Sequence, residues 1–124
     1  MASEITVQAS LQVSKTYLAE RKQPGQLTVD MAGTRYSANV QSVPTTAGGT
    51  ALSIGSNVGT AGWAFFRNTD ANNYVQVGVQ VSGTFYPLLT LKAGEYCVVR
   101  LATDTVYALA NTAAVDLEFF VLED

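Results

Sequence analysis

Residues Gly62–Gly78 read GWAFFRNTDANNYVQVG. Two kinds of text meet here. Residues 63–66, WAFF, are apolar in unbroken succession and include the only tryptophan, Trp63. Residues 74–81, YVQVGVQV, alternate Val75, Val77, Val79 and Val81 with Gln76, Gly78 and Gln80. Successive side chains of a strand point to opposite faces, so the second segment reads as a strand buried on one side. The first reads as a strand covered on both faces or meeting a partner. Between them, NTDANN is turn chemistry, because Asn and Asp side chains bond their own backbone and tolerate turn geometry. Two strands and a turn explain the stretch. The two-sided WAFF is the part expected to reach a partner, and Trp63, Phe66, Arg67 and Tyr74 are the candidate interface residues.

The same alternation extends outward. In EITVQASLQV, Ile5, Val7, Ala9, Leu11 and Val13 share one face, and one half-buried strand is expected. Pro24-Gly25 breaks the pattern, Leu27, Val29 and Met31 resume it, and Tyr36, Ala38 and Val40 open a further strand. Residues 41–62 are rich in Gly, Thr and Ser and read as a long crossover between sheets, with Leu52 and Ile54 in a short strand. Ser82-Gly83 predicts a tight hairpin into TFYPLLTL. KAGE, ATDT and NTAA separate YCVVRL, VYALA and the closing VDLEFFVL, whose Asp116 and Glu118 read as the wet side of a strand. Short strands at regular spacing predict an all-β protein, an antiparallel β-sandwich of jelly-roll type, as one domain over 1–124.

Composition narrows the function. Charged residues make up 14% of the 124 positions, against roughly a quarter in ordinary soluble proteins. The net charge is −3 and the only adjacent basic pair is Arg21-Lys22, so nucleic acid is not expected as a partner. No apolar run reaches membrane-helix length, and MASEITVQAS lacks the basic and apolar blocks of a signal peptide. Synthesis in a reducing cytoplasm is expected. The chain has no histidine, which excludes Ser–His–Asp and Cys–His nucleophile systems. The single cysteine, Cys97, lies among apolar residues and reads as a core residue.

Zinc would need several Cys or His ligands. Asp70 and Asn72 have calcium-ligand spacing, but an EF-hand-type loop would need Gly and an acid where Val75 and Val81 stand. A glycosidase pair such as Glu95 with Asp116 has no local pattern to place it in a cleft. No enzyme, metal or cofactor is expected. Trp63, Phe66, Tyr74, Phe85, Tyr86, Tyr96 and Tyr107 could stack on sugars, although aromatic residues on strands more often pack across the sheet.

In order, EITVQASLQVSK, GWAFFRNTDANNYVQVGV, GTFYPLLTLKAGEYCVVRL and ALANTAAVDLEFFVLED resemble segments of small virion-associated proteins of tailed bacteriophages. The resemblance implies an all-β, non-enzymatic accessory protein of the particle, such as a capsid cement or decoration protein. It implies other virion proteins as partners, the major capsid protein first, a homo-oligomer (trimer or dimer), and location in the virion. The alternative is a carbohydrate-binding β-sandwich on a phage tail or head surface. That alternative expects an exposed ring pair near Trp63 or Tyr74.

Overall fold

The computed structural model describes residues 3–55 and 58–124. Every regular element among them is a strand. The chain divides into two compact units, Met1–Ala32 and Gly33–Asp124.

The first unit holds β1 (Ile5–Gln8), β2 (Leu11–Lys15), β3 (Leu18–Lys22) and β4 (Gln26–Val29). β1 pairs with β4, and β2 with β3, both antiparallel. The single strand expected over Ile5–Val13 is therefore two strands, broken at Ala9-Ser10. The chain also reverses at Thr16-Tyr17, where Thr16 takes φ 48°. No Gly, Pro or Asn marks that reversal, so turn chemistry could not announce it. Along β2 and β3 every residue is exposed. Leu11 and Val13, expected on a buried face, lie on the same side of this hairpin as Leu18, in contact with water. Two carboxylates brace the ends of the unit: Glu4 accepts the Met31 N–H at 2.9 Å, and Asp30 accepts the Ser3 N–H at 2.7 Å.

The second unit holds eight strands: β5 (Tyr36–Val43), β6 (Thr50–Ala51), β7 (Ala61–Asn68), β8 (Val75–Val81), β9 (Thr84–Leu91), β10 (Tyr96–Arg100), β11 (Tyr107–Ala110) and β12 (Val115–Glu123). They form two four-stranded sheets, in the orders β10-β7-β12-β5 and β6-β11-β8-β9. The outermost strands of the unit pair, β5 with β12, then β6 with β11, β7 with β10 and β8 with β9, all antiparallel. The unit is thus one long antiparallel ribbon folded back at the β8–β9 hairpin and wound into two sheets. That winding is the jelly roll, and it realises the expected sandwich within Gly33–Asp124.

Local chemistry sets the corners. The β8–β9 turn is Ser82-Gly83, with φ of 52° and 81°, the left-handed pair that matches strand twist. The β5–β6–β7 connection crosses from one sheet to the other and back, as its loop composition suggested. It is pinned by Gln41, whose side chain donates to the Ala51 carbonyl and accepts the Ser53 N–H. The same connection sends Leu52, Ile54 and Val58 into the core. There they join Phe66, Val75, Val77, Leu117, Phe119 and Val121. Burying each such side chain contributes on the order of 1.5–3 kcal/mol. β8 only partly follows its alternation: Val75 and Val77 are buried, and Val81 is exposed. A bulge opposite Val77 and Gly78 shifts the β9 register beyond that point.

Candidate functional site: an apolar sheet face

β7 is apolar on both sides, and the structure separates the two. Ala64, Phe66 and Asn68 face the core, while Trp63, Phe65 and Arg67 face outward. Phe66 is completely buried and belongs to the core, so it is not a surface contact as expected from sequence. Tyr74 precedes β8 of the other sheet, with its N–H on Asn111 Oδ1, and takes no part in this face. Trp63 and Arg67 do.

Register shows what surrounds them. Three rows cross the outer face of the β10-β7-β12-β5 sheet: Arg100 with Trp63 and Leu122 with Tyr36, the two halves offset where the β7–β12 register shifts; Val98, Phe65, Phe120 and Ala38; Tyr96, Arg67, Glu118 and Val40. Nine of these twelve positions are apolar or aromatic. Water reaches most of them: Phe120 is 39% exposed, Val40 56%, Tyr36 60% and Tyr96 68%, while Trp63, Phe65 and Leu122 are half-buried. Phe65 and Tyr96 stack obliquely with centroids 6.0 Å apart, and Tyr36 and Phe120 at 5.7 Å. A shallow depression between Val40, Phe65, Glu118 and Phe120 marks the middle. The opposite sheet differs. Its central strand presents Gln76 and Gln80 outward, and Gln76 bonds Thr90 across the ladder. The outer face of that sheet thus mixes Gln76, Gln80 and Thr90 with Tyr107, Leu109 and Phe85, and is more polar than the face of β10-β7-β12-β5.

The charges on the apolar face are few. Arg100 pairs with Asp124 at 2.7 Å, the only ion pair among the described residues. Arg67 and Glu118 are direct cross-strand neighbours without forming one. The Trp63 indole N–H is buried with no acceptor among the described residues, a state that costs about 1–3 kcal/mol.

The turn behind this face is a hydrogen-bond hub. Asn68, fully buried at the end of β7, donates from Nδ2 to the carbonyls of Asn73 and Leu91, each at 2.9 Å, and accepts the Asp70 N–H at 2.8 Å. Asp70 in turn accepts the N–H groups of Asn73 and Asn72, which hold its carboxyl below the usual range. Its oxygens thus serve the turn, and no cluster of metal-ligating side chains occurs among the described residues. Glu95 accepts the Lys92 N–H inside its own turn, so its carboxylate is also spent on backbone. Cys97 is half-buried against the core, and burial pushes its thiol up. An apolar cleft of about 360 Å³ lies between the sheets, lined by Val77, Val79, Leu89, Val99 and Val106 together with Arg100.

No family model matches the chain, and no curated protein or solved structure matches it.

Sequence reasoning found Trp63 and Arg67 but missed Tyr36, Val40, Val98, Phe120 and Leu122. A signal was present in the last strand. Phe119-Phe120 and Val121-Leu122 put apolar residues on both faces, as WAFF does.

Proposed function

We propose that this protein is a non-enzymatic structural protein of a bacteriophage virion, a capsid cement or decoration protein that works by covering neighbouring subunits. The resemblance of its segments to virion-associated phage proteins supplies the context. The observation that carries the reading is the apolar outer face of the β10-β7-β12-β5 sheet, set in a chain of low charge. Cement needs a rigid domain and a surface whose burial is favourable, and a jelly roll with one apolar sheet face is both. Water-exposed faces of this extent on soluble proteins mark interaction surfaces. The exposed β2–β3 hairpin fits the same role, since a lone two-stranded ladder is marginal in water and gains order when covered.

The carbohydrate reading expected a ring pair near Trp63 or Tyr74. The stacked pairs among the described residues are Tyr36–Phe120 and Phe65–Tyr96, both set in apolar surroundings, and nothing there favours sugar over protein.

The test is sedimentation of the purified protein with particles of the parent phage that lack it. Co-sedimentation at a fixed stoichiometry, reduced at least tenfold in affinity by Val40→Lys with Tyr96→Lys, is the expected result. Absence of the protein from purified particles by mass spectrometry would sink the proposal.

A further inference from the structure

We infer that the outer face of the β10-β7-β12-β5 sheet is covered by a second copy of the same chain, through a two-fold axis that runs along the strands between β7 and β12. The inference rests on reading this face as an assembly surface, and it names the occupant.

Self-complementarity is the argument. A two-fold axis lying in the interface between β7 and β12 leaves each row on its own level and exchanges its two halves. β7 of one copy then lies over β12 of the other, and β10 over β5. In the first row, offset by the β7–β12 register shift, Trp63 faces Leu122, and Arg100, already paired with Asp124, faces the ring of Tyr36. In the second, Phe65 meets Phe120 and Val98 meets Ala38. In the third, Tyr96 meets Val40 and Arg67 meets Glu118. Every apolar side chain except Tyr36 lands on an apolar one. Both cations land on a group that attracts them, a carboxylate for Arg67 and an aromatic face for Arg100. Because the axis is two-fold, each pairing is made twice.

Two further observations point to the same occupant. Arg67 and Glu118 stand side by side without an ion pair in the chain, so each retains bonding capacity directed outward. A partner of strong single charge would leave one of the two opposed, whereas a second copy satisfies both. The area is also sufficient. Strands of five, eight, nine and eight residues, at about 4.8 Å spacing and about 3.3 Å rise, give a flat patch of roughly 480 Å² per copy. Two copies bury roughly 1,000 Å² before the corrugation of the side chains is counted, which reaches the threshold for a specific interface. Aligned packing of two sheets keeps their strands within about 30°, which tolerates the twist of each.

The experiment is light scattering after size exclusion over a range of concentrations, on the full chain and three variants. The wild type is expected as a dimer. Val40→Lys, at a position open to water in the single chain, is expected to be folded by circular dichroism and monomeric. Arg67→Glu and Glu118→Arg each place like charges opposite one another twice, raising the dimer Kd by about a hundredfold or more. Mixed together, these two variants are expected to recover the dimer as a heterodimer. Each copy then supplies the charge the other lacks, while the like-charged neighbours within each chain remain. A wild type that is monomeric at all concentrations, or a closed trimer, overturns the inference. So does a dimer indifferent to Val40→Lys, or a pair of folded monomeric charge variants that fails to combine. A monomer that still co-sediments with phage particles would remove this inference and leave the proposed function standing. A dimer that never binds particles would do the reverse.

Discussion

Replacing Asn68 is expected to cost more stability than any substitution on the apolar face, although its side chain is small and polar. The residue is completely buried and makes three hydrogen bonds, to Asn73, Leu91 and Asp70. At about 1 kcal/mol net for each, Asn68→Ala loses about 3 kcal/mol, and stranding the Leu91 carbonyl adds about 1 more. A loss of about 3–4 kcal/mol is a large part of the roughly 5–15 kcal/mol available to a domain. Asn68→Asp isolates the donor role. The variant keeps an oxygen for the Asp70 N–H but turns a second one toward two carbonyls, so at neutral pH it should fare no better than alanine. Its folded-state pKa must then rise above the unfolded value of about 3.9. The deficit is full above the folded pKa and shrinks as pH falls through it, because the protonated acid can again donate to one carbonyl. Urea unfolding followed by Trp63 fluorescence reads both effects. If Asn68→Ala loses less than about 1 kcal/mol, or Asn68→Asp matches the wild type at neutral pH, the amide is not the tie that holds β7 to the turn.

Other consequences follow from single groups. The N–H groups of Gly59 and Thr34 hold the Glu123 carboxyl below its ordinary 4.5, so its contribution is present above that value and lost as pH falls through the lowered one. Glu123→Gln should therefore lower Tm at neutral pH by an amount that shrinks as pH falls below 4.5, and a Tm gap that stays constant through the acid range would contradict the assignment. Gly78 lies beside the β9 bulge, where an added Cβ would press on the Tyr86 carbonyl and come within 2.9 Å of Pro87 Cα, both backbone that cannot step aside. Gly78→Ala should cost about 1–3 kcal/mol in denaturant, and unchanged stability would mean that β9 shifts freely. Burial raises the Cys97 pKa, so the native thiol should react with a disulfide reagent at least about tenfold more slowly than in urea. Equal rates would show that β10 opens readily.

The proposed role asks little of individual chemistry and much of one surface. That suits a second unit whose carboxylates at Asp70, Glu95 and Glu123 each accept backbone N–H groups and so hold loops in place. These ties leave the outer face of the β10-β7-β12-β5 sheet as a rigid platform. Rigidity favours association, because little side-chain or loop freedom remains to be lost on docking.

Local text was enough for most elements of the second unit, although the short strand expected at Leu52 and Ile54 lies instead at Thr50–Ala51, and Leu52 and Ile54 enter the core from the connection. Alternation in YVQVGVQV, the left-handed demand met by Ser82-Gly83, and the Asn and Asp of NTDANN are short-range properties. They needed no knowledge of distant residues to specify strands and turns. The all-β sandwich followed from their spacing. Three things required the tertiary structure. The first is which face of WAFF lies inside. Two adjacent aromatics alternate equally well in either sense, and only the register that buries Asn68 beside Leu91 puts Phe66 in the core and Trp63 outside. The second is the fate of Leu11 and Val13. Their pattern is that of a buried face, but β2 pairs with β3 and every residue of that hairpin's strands is exposed. The third is the apolar face itself. Its rows draw on β5, β7, β10 and β12, which are separated by up to about eighty residues in the chain and brought side by side only by the winding of the ribbon. Periodicity reports what each strand offers to its two sides, and the pairing of distant strands decides which offers are joined into a surface.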